Sequence, residues 1–409
     1  MYSIDDWKDR LKKRFTFNTQ QETIAIDPPP ATKFRRVKGT AGSGKSLALA
    51  ARAAVLASQG KRVLVCSHNI ALLNYLEEDL VKQFVNPIPL KITFMHFHLW
   101  CRSVCEATES MNRYDQLWND YPNKQEVWNY GMGELVSRLY DEDIPNLPTY
   151  DAILLDEGHD FRIDWWITLK KAITQGGEAL FVCDKTQNIH GTAQAWTEQE
   201  MRGCGFTGAW MELRKSYRLT NNIIPILKNF YNQFPYEVGH EGPDIPEQDP
   251  SYGTEVWDNL RWVQVHPGRS PIDACIKEIE RLHDDPAIPF VNFLSGKKIG
   301  IPIVGEFKRR DKNIFSTHHE DWRISREAKL NLSPGCAEIV ATTVHSFKGW
   351  ETPYLIVHVE QIRSLEDRAA FYTALSRLKR NNNGAVLTVV SSCPELEQFG
   401  RENFRDFKI

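Results

Sequence analysis

Residues 39–46 read GTAGSGKS, a match to G-x-x-x-x-G-K-[ST], and nothing else in the chain constrains its fold as tightly. The pattern works in one setting: a strand ends in a glycine-rich turn that opens a helix. Backbone N–H groups and the positive helix end then face a phosphate. The flanks supply that setting. A short strand-like FRRVK precedes the loop, and LALAARAAVLA, a run of strong helix formers, follows it. Gly39, Thr40, Ala41, Gly42, Ser43, Gly44, Lys45 and Ser46 are therefore expected to hold a nucleoside triphosphate. Lys45 would reach the β and γ phosphates, and Ser46 would offer its hydroxyl to Mg²⁺.

Such a loop belongs to a parallel sheet, and the rest of the chain reads that way. Residues 62–66 (RVLVC), 151–155 (DAILL) and 179–183 (ALFVC) carry continuous rather than alternating apolar residues, as strands buried on both faces do. A second series follows at 261–265, 338–343, 354–358 and 385–390. Two series separated by helix-compatible stretches imply an α/β protein with two domains, expected at about 1–210 and 211–409. The length of 409 residues agrees. Residues 100–148, rich in Trp and Tyr and without strand signals, read as a small helical insertion in the first domain. A reduced insertion is expected at about 236–335 in the second, beginning with the Pro- and Gly-rich 236–257.

Composition narrows the class. With 42% apolar and 25% charged residues the chain is neither disordered nor fibrous. A formal charge of −3 leaves any nucleic-acid binding to a local surface. Residues 295–314 carry six basic side chains against Glu306 and Asp311, a pattern read first as a solvated face. Eight cysteines without a Cys-x-x-Cys pair, a charged N-terminal segment and no long apolar run give the expectation of a cytoplasmic protein away from the membrane.

A second motif fits the first. Residues 153–160 read ILLDEGHD, an acidic pair after a buried run. Asp156 is expected to hold Mg²⁺, and Glu157 to orient or deprotonate the attacking water.

From here the sequence resembles the superfamily 1 helicases of the UvrD/Rep type over about residues 15–390, motif after motif in order. FNTQQ (17–21) resembles the adenine-reading motif, with Gln21 in the amide position. VLVCSHN (63–69) and ITFMHFH (92–98) resemble elements that touch single-stranded nucleic acid. VCDKTQNIH (182–190) resembles the motif whose glutamine, here Gln187, senses the γ-phosphate. SYRLT (216–220), ATTVHSFKGWE (341–351) and FYTALSRLKR (371–380) complete the series. The resemblance implies two RecA-like domains with ATP and Mg²⁺ in the cleft between them. Tyr217 would stack on adenine, Glu351 would contact the ribose, and Gly349 belongs to the same motif. Arg218 and Arg377 would bring positive charge to the γ-phosphate. It also implies nucleic-acid contacts from Ser67, His68, Asn69, His96, Phe97 and His98 in the first domain, and from Thr342, Thr343 and His345 in the second.

Three departures qualify the resemblance. The accessory insertions are short, His159 stands where the family has Gln, and Thr192 stands at the place of the base-stacking Trp, so that stacking is expected either at Trp196, four residues later, or not at all. The expected activity is ATP-dependent translocation or unwinding, 3′ to 5′ by resemblance, on single-stranded DNA, with RNA as the other track. The alternative is an ATP-gated regulatory subunit, for example beside a separately encoded nuclease, with little unwinding. A P-loop kinase is disfavoured because it leaves Arg218, Gln187 and Arg377 without roles.

Overall fold

The computed structural model describes residues 4–15, 17–27, 34–184, 198–235, 246–247, 258–381 and 384–409. Gln187, Thr192 and Trp196, together with nearly all of 236–257, lie outside the described residues. The described chain divides into two compact units. The first holds the residues up to Gly39, 44–184 and 198–213; the second holds Thr40–Ser43 and the residues from Arg214 on.

In the first unit six strands form one sheet: β1 (Phe34–Gly39), β2 (Val63–Ser67), β3 (Ile92–Met95), β4 (Tyr150–Asp156), β5 (Ile173–Cys183) and β6 (Met211–Leu213). Their order is β3-β2-β4-β5-β1-β6, with every pairing parallel. The continuous apolar runs have the predicted cause. Val63 and Val65 of β2, with Ala152 and Leu154 of β4, join one core, which includes the buried face of the helix Lys45–Ser58. Leu64, Cys66, Ile153 and Leu155 point the other way, into a second core with Phe97, Trp100 and Trp166. Both faces are covered, so no position on these strands can be polar at low cost. The second core is roofed by the expected insertion: helices Phe97–Ala107, Met111–Asp120 and Met132–Asp141, with a π-turn at Val127–Gly131.

The second unit repeats the plan with seven strands: β7 (Asn259–Gln264), β8 (Val291–Leu294), β9 (Ile314–Ser316), β10 (Ile339–Thr342), β11 (Tyr354–Val359), β12 (Val386–Ser391) and β13 (Asp406–Lys408). The order is β13-β7-β12-β11-β8-β10-β9, again all parallel. The class is thus α/β with two parallel sheets, as in RecA-like domains.

Two differences from the sequence reading have physical reasons. β5 begins at Ile173 rather than 179, because Gly176 and Gly177 mask its first half. At Gly177 an added Cβ would lie 2.9 Å from the Asp151 carbonyl, so strand and neighbour approach closely there. β8 sits between β10 and β11 yet was not expected. It is four residues long, and its buried Asn292 donates to Thr352 Oγ1 at 2.7 Å. A polar residue inside so short a run removes the pattern that announces a strand. The basic run becomes the helix Lys297–Arg309 with its flanks. There Lys298 pairs with Glu360, Arg309 with Glu306, and Arg310 with Glu306 and Glu280, a solvated face in large part neutralised. Among the described residues, no helix is long and apolar enough to cross a membrane.

Candidate functional site

In the first unit three neighbouring strands, β4, β5 and β1, deliver candidate groups at their C-terminal ends, the side of an open parallel sheet where ligands bind. β1 ends at Gly39 and leads into the loop, β4 ends at Asp156, and β5 is followed by Asp184. Lys45 Nζ donates to the Gly39 carbonyl at 2.7 Å and to Asp184 Oδ2 at 3.4 Å. Its charge is thereby held inside the loop beside a carboxylate the sequence reading had not named. The signal for Asp184 was present: an acid one residue past a buried strand, inside the segment containing Gln187.

Asp156 is almost fully buried. The Ser46 hydroxyl lies near its carboxylate, and Oδ1 accepts the Glu157 N–H at 3.0 Å. Oδ2 is buried without a hydrogen-bond partner. Burial first, and then the neighbouring Glu157 charge, push Asp156 well above the usual carboxylate range. A buried, unsatisfied carboxylate oxygen beside a serine hydroxyl fits a divalent cation, so Ser46 and Asp156 suit the Mg²⁺ expected of them.

Glu157 has a left-handed backbone, φ 52° and ψ 43°. For a non-glycine residue this conformation costs about 1–3 kcal/mol and collects at functional sites. His159, which stands where the resembled motif has Gln, lies beside this side chain. Its Nδ1 accepts the Asp184 N–H at 3.2 Å, and its Nε2 lies 3.4 Å from Glu157 Oε2 and 3.7 Å from Asp160 Oδ1. Accepting at Nδ1 leaves the proton of a neutral ring on Nε2, while Glu157 Oε2 remains buried without a hydrogen-bond partner.

Gln21 also belongs to this unit. It closes a capping box with Asn18, its Oε1 accepting the Asn18 N–H at 3.0 Å. Its Nε2 lies against the loop: a Cβ on Gly44, which has φ +82°, would come within 2.3 Å of it. Glycine is therefore required at 44 on two counts.

The nucleic-acid candidates of this unit fare unequally. Phe97 is fully buried and stacked on Trp165 at 4.8 Å, so it packs the core and offers no face to a base; that expectation is corrected. The Ser67 hydroxyl is buried and accepts the Asn69 N–H. Asn69 and His96 cap helices at Ile70 and Phe97. His68 stacks on Trp165 at 5.7 Å. His98 Nε2 meets the Trp128 carbonyl at 2.9 Å, and burial pushes its pKa down to about 4, so the ring is neutral.

In the second unit, segments far apart in sequence converge. Arg218 Nη1 donates to Glu351 Oε2 at 2.8 Å and Nη2 to the Ser376 carbonyl at 3.3 Å; its Nε is buried without a hydrogen-bond partner. Lys379 takes the other oxygen of Glu351 at 2.8 Å. Burial pushes Glu351 upward, but the two cations outweigh it and hold the carboxyl below its ordinary range. Glu351, expected at a ribose, is here the counter-ion of Arg218. Arg377 is buried, donating to the Thr373 carbonyl at 3.0 Å and Ser376 Oγ at 2.9 Å. Thr40–Ser43 pack in this unit. Thr40 Oγ1 donates to the Arg214 carbonyl, and the Tyr217 N–H donates to the Gly42 carbonyl, each at 3.0 Å. Gly349 is left-handed at φ +88°.

Thr343 and His345 line an open pocket of about 340 Å³, with Ser295, Gly296, His358 and Glu360, at the ends of β8, β10 and β11. Thr342 is closed off: its hydroxyl is shared with Thr317 Oγ1 at 2.6 Å. His318 is buried over Gly300, where a Cβ would lie 2.4 Å from its ring, and burial pushes its pKa to about 4. No family model matches the chain, and no curated protein matches it.

Proposed function

We propose that this chain is an ATP-dependent motor on single-stranded nucleic acid, a translocase or helicase of the superfamily 1 type. DNA is the leading track, and the polarity proposed is 3′ to 5′. The observation that carries the reading is the grouping in the first unit. Lys45, Ser46, Asp156, Glu157 and Asp184 meet at adjacent strand ends, with a buried, unsatisfied carboxylate oxygen and a strained glutamate among them. That set serves phosphoryl transfer to water better than nucleotide storage, which has no use for a second buried carboxylate with an unsatisfied oxygen.

In this reading Lys45 leaves the Gly39 carbonyl for the phosphates, and Ser46 and Asp156 hold Mg²⁺. The ion, when bound, neutralises charge on the β and γ oxygens. Glu157, with His159 beside it, orients the attacking water and takes its proton. Arg218 and Arg377 are the cations that meet charge developing on the γ-phosphate. Because they lie far from the loop in the chain, hydrolysis and motion are coupled. Thr343 and His345, in the open pocket, are the best-placed contacts for the polymer.

The test is steady-state ATPase activity with and without single-stranded DNA or RNA, with Lys45→Ala as the blank. Strong stimulation by one polymer supports the motor and names its track. Hydrolysis indifferent to both would sink it in favour of the ATP-gated subunit, and the search would move to a protein partner such as a nuclease.

A further inference from the structure

We infer that a buried tie of Arg52, Glu178 and Arg35 sets the position of Gln21, making Arg52 and Glu178 positioning residues for recognition of the nucleotide base. The inference rests on the reading of Gln21 as the base-contacting amide.

Gln21 stands on the helix Thr19–Ile26, whose eight residues are too few to hold a helix in place alone. Its first turn is fixed locally by the capping box with Asn18. Its last turn is fixed by cations. Arg52 Nη1 donates to the carbonyls of Ile26 at 3.1 Å and Ala25 at 3.4 Å, and Arg35 Nη1 to that of Thr23 at 3.2 Å. The Ala25 and Ile26 carbonyls lie at the negative end, where the helix leaves them unsatisfied, whereas that of Thr23 also accepts the Asp27 N–H at 3.2 Å. Arg52 in turn forks onto both oxygens of Glu178, at 2.8 and 2.6 Å, with Arg35 Nη2 3.8 Å from the same carboxylate.

Each member comes from an element that leads to the phosphate group. Arg35 is on β1, which runs into the loop, and Arg52 is seven residues into the loop helix after Lys45. Glu178 is on β5, which ends beside Asp184. The tie therefore fixes the Gln21 helix to the three elements that place Lys45 and Asp184, and Gln21 Nε2 rests against Gly44 as a result. A planar bidentate fork fixes one orientation, which a point charge does not. Two guanidiniums on one carboxylate leave excess buried positive charge, and Arg35, pushed down by burial and by Arg52, falls to about 10. Buried ion pairs are poor devices for stability and better ones for specifying geometry.

The experiment measures dissociation constants of non-hydrolysable ATP and GTP analogues and of inorganic tripolyphosphate, by calorimetry on the full chain. Wild type is compared with Arg52→Lys, Glu178→Gln and Gln21→Ala. In Arg52→Lys and Glu178→Gln the ATP analogue is expected to bind about tenfold more weakly. The GTP analogue and tripolyphosphate should stay within about twofold, because their phosphate contacts are untouched. Equal weakening of all three ligands would make the tie merely structural and overturn the inference. Loss of base preference in Gln21→Ala with its retention in both tie variants would remove the tie and leave the reading of Gln21 standing. Unchanged preference in Gln21→Ala would remove both. Glu178→Gln, nearly isosteric, carries the test if Arg52→Lys does not fold.

Discussion

Asp156 in the first unit keeps a buried oxygen without a hydrogen-bond partner, whereas Glu351 in the second has both oxygens engaged, one by Arg218 and one by Lys379. The difference runs through both groups. The first is strained and unsatisfied: Glu157 sits in a left-handed conformation next to an unsatisfied carboxylate. The second has its carboxylate fully engaged, although Arg218 Nε is unsatisfied. Beyond the ion pairs, the Thr352 N–H donates to the Arg377 carbonyl, the Arg380 N–H to that of Arg218, and Arg380 Nε to that of Leu219. A group whose cost is already met by the surrounding fold is poised to take up a ligand. A group whose charged side chains are already engaged with one another must exchange partners before its arginines can act.

The largest test of that contrast is at Glu157. Glu157→Gln should lower kcat about a thousandfold with nucleotide affinity little changed, since the water loses its base. Its melting temperature should stay near wild type, because the backbone strain remains. Glu157→Gly should be as inactive yet more stable, by about 1 kcal/mol or more, because glycine accepts φ 52° without penalty. A glycine variant that melts below wild type would show that the left-handed turn stores no strain.

A test of intermediate size separates core from site within the first unit. Phe97→Ala should cost about 3–5 kcal/mol of stability, seen as an early urea midpoint, with no effect on polymer affinity in the protein that remains folded. Weakened polymer binding at unchanged stability would restore Phe97 as a contact.

How much of this was legible in the sequence follows from the same contrast. The first group is compact in sequence: a strand, a loop and a helix place Lys45 and Ser46 within eight residues, and ILLDEGHD supplies the partner acid. The fold class was legible because burial on both faces leaves continuous rather than alternating apolar residues at 62–66 and 151–155. What was hidden is set by distance or by side-chain direction. Nothing local links Arg218 to Glu351, 133 residues apart, or announces that Glu351 also holds Lys379. Phe97 and His98 are adjacent, yet a helix turns successive side chains about 100° apart, and Phe97 goes into the core. His159 was visible as a substitution, but its hydrogen bond depends on the Asp184 N–H, which follows another strand.

The smallest effect bears on the second group and has the opposite sign from the glycine variant. Glu351→Gln keeps the shape but removes the charge that Arg218 and Lys379 share, so it should cost about 1–2 kcal/mol at neutral pH. Because Glu351 is held below its reference value of 4.5, the stability it contributes is fully present above that pH. It is lost as the pH falls through the lower folded value. The gap between wild type and Glu351→Gln, read from urea midpoints at a series of pH values, should therefore be constant from neutral pH to about 4.5 and close only below it. A gap that closes already near pH 6 would mean that burial outweighs the two cations, that Glu351 is not the clamp on Arg218, and that the two groups differ less than their hydrogen bonds indicate.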